Sequence, residues 1–262
     1  GSRWLHVLLD ETLERQQKLW NPPRRWYRGS EAGDTCVRSM TLSVMGHSVP
    51  VPAKTKRIFR TGNAVEDANM QTMREAGIVI ESKQKDKQHE IRYKDPPIVG
   101  HIDVMARKPT EDNKRLCGEI KSINSFGFKA LPSEHDDPRV NMRNLMAKKP
   151  GYICQWNIYS GAPNLDLPEG FMLFEEKNVQ SQLIYMLERD DDLLVEILER
   201  MRKGTKYILA DPMLVAPIPK DRNPRGADEQ CQRCSRKYLC MRLPDEGTTY
   251  DEVRRVDAEV RS

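Results

Sequence analysis

Two stretches of this chain, Gly100-His101-Ile102-Asp103-Val104 and Cys117-Gly118-Glu119-Ile120-Lys121, alternate apolar and polar residues at the two-residue period of a β-strand. Between them, Lys108 to Lys114 has the composition of a hairpin loop. A strand pair is what this pattern predicts. Pairing brings Asp103, Glu119 and Lys121 together, with Glu119 and Lys121 on one face because they lie two residues apart. Two carboxylates can hold a hard divalent cation through oxygen, and a lysine beside them can position or help deprotonate a water next to a scissile phosphate. Taken alone, the triplet is equally compatible with a solvated hairpin carrying ordinary surface charge.

The cysteines form a second constellation. Cys231, Cys234 and Cys240 are spaced C-x2-C-x5-C, which lets three thiolates converge on one centre. A fourth ligand must come from Cys36, Cys117 or Cys154. The last two sit in apolar segments, where a buried, inert thiol is the default. Cys36 follows a polar turn at the start of an apolar run and is the better candidate. Six cysteines in 262 residues, without a signal-peptide pattern, argue against a disulfide scaffold and for metal binding. The spacing admits either zinc or a [4Fe–4S] cluster.

In this order, a distant N-terminal cysteine, a G-x-x-D strand, an E-x-K strand and a terminal C-x2-C-x5-C resemble the iron–sulfur branch of the RecB-like PD-(D/E)XK nucleases, among them the CRISPR-associated RecB-family exonucleases and phage-borne counterparts. Gln155-Trp156-Asn157-Ile158-Tyr159 is similar to the Q-x-x-x-Y motif of that branch, and Phe171 to Asn178 to the strand that follows it. Gly62-Asn63-Ala64-Val65-Glu66 resembles the segment G-x-x-x-H that opens the family's nuclease core, with Glu66 in place of the histidine. The resemblance runs from about Cys36 to Cys240.

This resemblance implies an α/β fold, a PD-(D/E)XK restriction-endonuclease-like core of mixed sheet and flanking helices, under a helical cap tied to a four-cysteine centre. It implies Mg²⁺ or Mn²⁺ held by Glu66, Asp103, Glu119 and the backbone carbonyl of Ile120, with Lys121 orienting the attacking water and Gln155 and Tyr159 steadying Lys121 or the cut strand. Cys36, Cys231, Cys234 and Cys240 would carry a [4Fe–4S] cluster. The expected activity is exonucleolytic hydrolysis of DNA from single-stranded ends, 5′ to 3′, with a protein partner in recombination or spacer acquisition. Loss of the histidine raises the alternative of a DNA-end-binding protein with a weakened site; a restriction-type endonuclease would share the Asp and Glu-x-Lys core without needing four cysteines. His101, two residues before Asp103, would share its strand face.

Composition fits a globular cytoplasmic protein: 38% hydrophobic, 31% charged, formal net charge +4, and no apolar run of membrane-spanning length. Arg24, Arg25 and Arg28 with Trp26 and Tyr27, and Lys54, Lys56, Arg57 and Arg60, combine phosphate-binding charge with aromatic surface. The pattern predicts an N-terminal helical segment carrying the first cysteine over residues 1–56, a nuclease core over 57–210, and a linker, cysteine cluster and tail over 211–262. Within these, helices are expected over Arg3 to Trp20, from near Cys36, over Arg57 to Ala76, Gly151 to Ser160 and Val179 to Lys203. Strands are expected over Ile78 to Ser82, Glu90 to Tyr93, Val99 to Ala106, Arg115 to Ile123 and Phe171 to Glu175. Asn124 to Pro150 reads as a mobile flap with one short helix near Val140 to Ala147.

Overall fold

The computed structural model describes residues 3–15, 20–80, 89–107 and 114–261. Residues 16–19, 81–82 and most of the expected hairpin loop, 108–113, lie outside them. The chain opens with helix α1 (Arg3–Arg15), a short strand β1 (Tyr27–Arg28), α2 (Val37–Val44) and the long α3 (Ala53–Glu75). Pro52 precedes α3, and Gly77 beyond its end takes φ +80°, a left-handed conformation suited to glycine. Strands β2 (Val79–Ile80), β3 (His89–Tyr93), β4 (Ile98–Ile102), β5 (Val104–Arg107) and β6 (Arg115–Ile123) follow.

The expected single strand over Val99 to Ala106 is two strands. The backbone bends at Asp103: β4 joins a three-stranded sheet in the order β1-β4-β3, while β5 belongs to a five-stranded sheet, β2-β5-β6-β7-β8. Alternation continues through the bend, so the pattern does not reveal it. The bend also separates His101 from Asp103; His101 is exposed and lies 3.8 Å from Glu90 on the neighbouring strand.

After β6 come α4 (Ser125–Lys129), α5 (Pro138–Lys148), α6 (Pro150–Ser160), β7 (Glu169–Glu176), β8 (Gln182–Glu188) and α7 (Asp191–Ile208). Strands β6 and β7 are parallel, joined by the three-helix crossover; the other pairs of this sheet are antiparallel. The crossover is docked, unlike the expected flap. Asn141 on α5 is buried and donates from Nδ2 to the carbonyls of His135 (2.8 Å) and Met186 (3.0 Å), and Met142 and Leu145 enter the core. The helix expected over Val179 to Lys203 is a strand followed by a helix: Tyr185 and Leu187 point inward and Ile184 and Met186 outward, at period two. Asp190 then caps α7 by accepting from the Leu193 N–H at 2.9 Å.

The two faces of the large sheet differ in cover. On one lies α3, with Met70 and Val65 against Ile120, Leu116, Phe171 and Leu173. The other meets α6, where Trp156 is fully buried and donates to the Cys117 carbonyl at 3.0 Å. The remaining elements, β9 (Leu214–Val215), α8 (Glu229–Arg233), α9 (Lys237–Cys240), β10 (Thr248–Thr249) and α10 (Tyr250–Arg261), return to the N-terminal helices.

That return is made through buried polar groups. Arg38 on α2 is wholly buried, and its guanidinium donates to the carbonyls of Pro244 (2.9 Å), Ala216 (3.2 Å) and Asp245 (3.3 Å). Asp257 on α10 accepts from the Trp20 indole (2.9 Å) and the Tyr238 hydroxyl (3.0 Å), and the Tyr238 hydroxyl in turn meets His47 Nε2 at 2.9 Å. Replacing Arg38 by alanine strands three carbonyls that water cannot easily reach, a cost of about 3 kcal/mol or more. Arg38→Ala should shift the urea midpoint down accordingly, whereas Arg25→Ala, an exposed guanidinium bonded to the carbonyls of Leu209 and Ala210, should move it little.

Candidate active site

Register fixes the site. Val104 pairs with Gly118, so a straight β4–β5 strand would next place its backbone opposite Ile120. The bend carries that backbone away, and the Asp103 carboxylate takes its place, accepting the Ile120 N–H at 3.3 Å. In a strand the N–H and C=O of one residue point to the same side, so the Ile120 carbonyl also faces this opened edge.

Glu119 is fully buried on the α6 face. Its Oε1 accepts from Gln155 Nε2 at 2.8 Å and its Oε2 from Lys121 Nζ at 3.1 Å; the same ammonium lies 3.7 Å from Asp103 Oδ2. Gln155 also donates to the Tyr159 hydroxyl at 3.2 Å. The structure thus brings together Asp103, Glu119, Lys121, Gln155 and Tyr159. Tyr159 is itself gripped by backbone. A Cβ on Gly29 or on Gly100 would fall 2.1 or 2.6 Å from its ring, which gives a steric reason for the glycine three residues ahead of Asp103.

Burial pushes the Glu119 carboxyl well above the usual range; Lys121 opposes the shift and Asp103, hydrogen-bonded to it, adds to it. Burial works against the Lys121 ammonium too, yet Glu119 and Asp103 together hold its pKa above the ordinary lysine value. The Tyr159 hydroxyl is likewise raised, by burial first and then by Glu119. Two carboxyls thus face a single ammonium in a nearly dry site, a set short of positive charge. Its oxygens, with the Ile120 carbonyl, suit a hard divalent ion.

Glu66 stands elsewhere on the sheet. It lies half-buried on α3, in a helical stripe with Gly62 and Asn69. Gly62 passes close to Ser122 of β6, where a Cβ would lie 3.4 Å from its hydroxyl, and Asn69 donates to Glu175 of β7 at 2.7 Å. Glu66 is therefore held beside the far half of β6, but on the face opposite the Glu119 side chain.

Tyr152 was not anticipated. It lies one helical turn before Gln155, and the Lys121 ammonium sits 5.5 Å from the centre of its ring, a cation–π contact. The signal was present, since Tyr152, Gln155 and Tyr159 recur at i, i+3 and i+7, but an aromatic on a buried helix reads as packing.

Cys36, at the N-terminal end of α2, Cys231 on α8, Cys234 just beyond it and Cys240 on α9 line one cavity of about 260 Å³. Burial pushes the Cys36 thiol up to about 11, with the backbone N–H groups of Ser39 and Arg38 pulling the other way. Cys231 and Cys240 are raised by burial as well, Cys240 with Arg38 opposing. Cys117 is fully buried beneath Glu119, and Cys154 lies by Arg200. Among the described residues, no three Cys, His, Asp or Glu side chains are gathered closely enough to hold a single metal ion.

Because the buried Glu119 favours its neutral form, folding loses stability as pH rises from the unfolded carboxylate range through the raised folded value. In metal-free buffer, Glu119→Gln should therefore melt higher than the parent at neutral pH, and the gap should close as pH falls toward about 4.3, the ordinary glutamate value. Added Mg²⁺ should raise the parent's melting temperature and leave the variant's nearly unmoved.

The sequence matches no known family model and no curated protein. Solved structures similar to this chain include an alkaline exonuclease, LHK-Exo, from Laribacter hongkongensis, with TM-score 0.47 and 14% identity over 80% of this chain and 94% of that one. LHK-Exo in complex with dAMP gives 0.48 and 14% over 71% and 89%. SSO0001 gives 0.45 and 15% over 94% and 98%.

Proposed function

We propose that the protein is a metal-dependent deoxyribonuclease that hydrolyses phosphodiester bonds at the ends of DNA, preferring single strands. The observation that carries the reading is the convergence of Asp103, Glu119 and Lys121, backed by Gln155 and Tyr159, at the edge of β6 opened by the bend at Asp103. The motif order of the RecB-like PD-(D/E)XK nucleases supports the choice of DNA, of strand ends and of single strands.

Asp103, Glu119 and the Ile120 carbonyl would hold Mg²⁺ or Mn²⁺, with Glu66 reaching the same edge from α3. When bound, the ion supplies charge neutralisation at the scissile phosphate and a more acidic water. Gln155 keeps Glu119 aimed by engaging the oxygen that Lys121 leaves, and Tyr159 holds Gln155. Lys121, kept as an ammonium by its two carboxyl neighbours, acts as a hydrogen-bond donor to water or phosphate and not as a base. Tyr152 limits where that ammonium can swing.

Cys36, Cys231, Cys234 and Cys240 would carry a [4Fe–4S] cluster. Four thiols around a void suit a polynuclear centre, and the Arg38 guanidinium and the first amides of α2 oppose the charge of thiolates there. The centre would tie α2 to the C-terminal segment and supply folding energy, not chemistry.

The test is incubation of anaerobically purified protein with end-labelled linear and circular single-stranded DNA in Mg²⁺, Mn²⁺ or EDTA. Degradation of linear DNA alone, in either metal, is expected; cutting of circles would make it an endonuclease, and no cutting in any metal would refute the reading. Asp103→Ala and Glu119→Ala should abolish cleavage. Lys121→Ala should bind DNA normally and lose about 10²- to 10⁴-fold in rate. Glu66→Ala should be poor in both metals, and Glu66→His should stay active in Mn²⁺ while losing more in Mg²⁺, because imidazole suits the softer ion; Val65→Ala, next to it, should cost only packing.

For the cysteines, serine at position 36, 231, 234 or 240 should each lower iron and sulfide content and solubility, while serine at 117 or 154 leaves the iron unchanged. Because burial raises the Cys36, Cys231 and Cys240 thiols, loading releases protons, so reconstitution should become less complete as pH is lowered. Stoichiometric zinc without iron in protein prepared free of oxygen would replace the cluster with zinc on the same four ligands.

A further inference from the structure

A second cavity, of about 720 Å³, opens between residues 21–28, the turn after α2 and the first turns of α3. Arg24, Arg28, Lys56 and Arg236 line it, and among the described residues no carboxylate does. Arg24 is only 9% exposed. Its Nη2 is spent on Glu31 (2.7 Å) and Ser43 (3.1 Å), but its Nη1 is buried with no hydrogen-bond partner. Arg236 on the facing wall is half used: Nη1 reaches Ser39 at 3.3 Å, while Nε is buried and unpartnered. Buried guanidinium donors are costly to leave unpaired, and an anion in the cavity would satisfy them. Lys56 gives one proton to the Leu13 carbonyl and keeps two. Phe59, 58% exposed, stands among these cations.

Clustered cations beside an exposed aromatic ring match a phosphate chain whose bases can stack. Two elements of the cavity wall run on toward the candidate active site. Lys56, Phe59, Asn63 and Glu66 recur on one helical stripe of α3. Arg28 immediately precedes Gly29, whose backbone abuts the Tyr159 ring. Arg236 lies between Cys234 and Cys240 and lines the cysteine cavity as well.

We propose that this cavity is a binding subsite for a single-stranded nucleic acid, with Arg24, Arg28, Lys56 and Arg236 on its phosphates and Phe59 under one of its bases. The subsite stands on its own residues and depends on the nuclease reading only for where the strand leads. Because the cysteine-bearing segment supplies Arg236, that segment is one wall of the strand's path.

Binding of a fluorescent oligothymidylate to the full chain in EDTA, followed by anisotropy across salt concentrations, tests the proposal. The exposed residues Arg28 and Phe59 can be changed without disturbing the fold, which a melting curve checks. Arg28→Ala should weaken binding and reduce the slope of log affinity against log salt by about 0.7. Phe59→Ala should weaken binding about tenfold with the slope unchanged. Inorganic phosphate at equal molarity should leave the oligonucleotide bound. Wild-type affinity and slope in both variants, or displacement by that phosphate, would overturn the subsite. The two readings separate cleanly: wild-type protein that shows these dependencies but cuts nothing in Mg²⁺ or Mn²⁺ keeps the subsite and loses the nuclease, and the converse result does the reverse.

Discussion

The hydrogen bond from the Ile120 amide to the Asp103 carboxylate is the joint on which this architecture turns. It lets the chain leave the large sheet after Asp103 without stranding a backbone donor, because a side chain fills the position of the departing strand. Once β4 has left, β6 is paired on one side only over its last residues, and the carbonyl of Ile120 is free of a ladder partner. The smaller sheet, the gap beside β6 and the approach of Asp103 to Glu119 all follow from that substitution.

Placing a carboxyl as deeply as Glu119 is unfavourable by itself, and the surroundings answer with particular groups. Gln155 and Lys121 occupy separate oxygens, Asp103 shares a hydrogen bond with it, and Tyr159 fixes Gln155 from behind. Removing one member leaves the others badly solvated, so the cluster behaves as a unit. Such a unit is stiff, which is what the proposed hydrolysis would ask of it.

Much of this was legible in the chain because it is local. Period-two alternation locates β6 and β7, the i, i+4 spacing places Gln155 and Tyr159 on one face of α6, and C-x2-C-x5-C forecasts that three cysteines share a cavity. What escaped depends on longer range. Ile102 and Val104 keep alternating across the bend, so nothing in the pattern marks the change of sheet. Leu183, Ile184 and Leu187 satisfy helical spacing, but Tyr185 turns inward and makes them a strand. The basic clusters of the first sixty residues divide between roles that their sequence does not separate. Tyr27 is fully buried, Arg25 caps carbonyls, and Arg57 pairs with Asp10, whereas Arg24 and Lys56 keep donors turned to a cavity. The position of Glu66 relative to the open edge also depends on how α3 crosses the sheet, which no local pattern encodes.

The seam between the two ends of the chain has a kinetic meaning. Trp20 reaches Asp257 across 237 residues and Arg38 reaches Pro244 across 206, so these buried polar groups find their partners only when distant segments meet. Contacts of such sequence separation form late, so Trp20, Arg38 and His47 stay unsatisfied while the more local pairings of the sheets assemble. The seam is among the last contacts made in folding, and α10 completes it through Asp257.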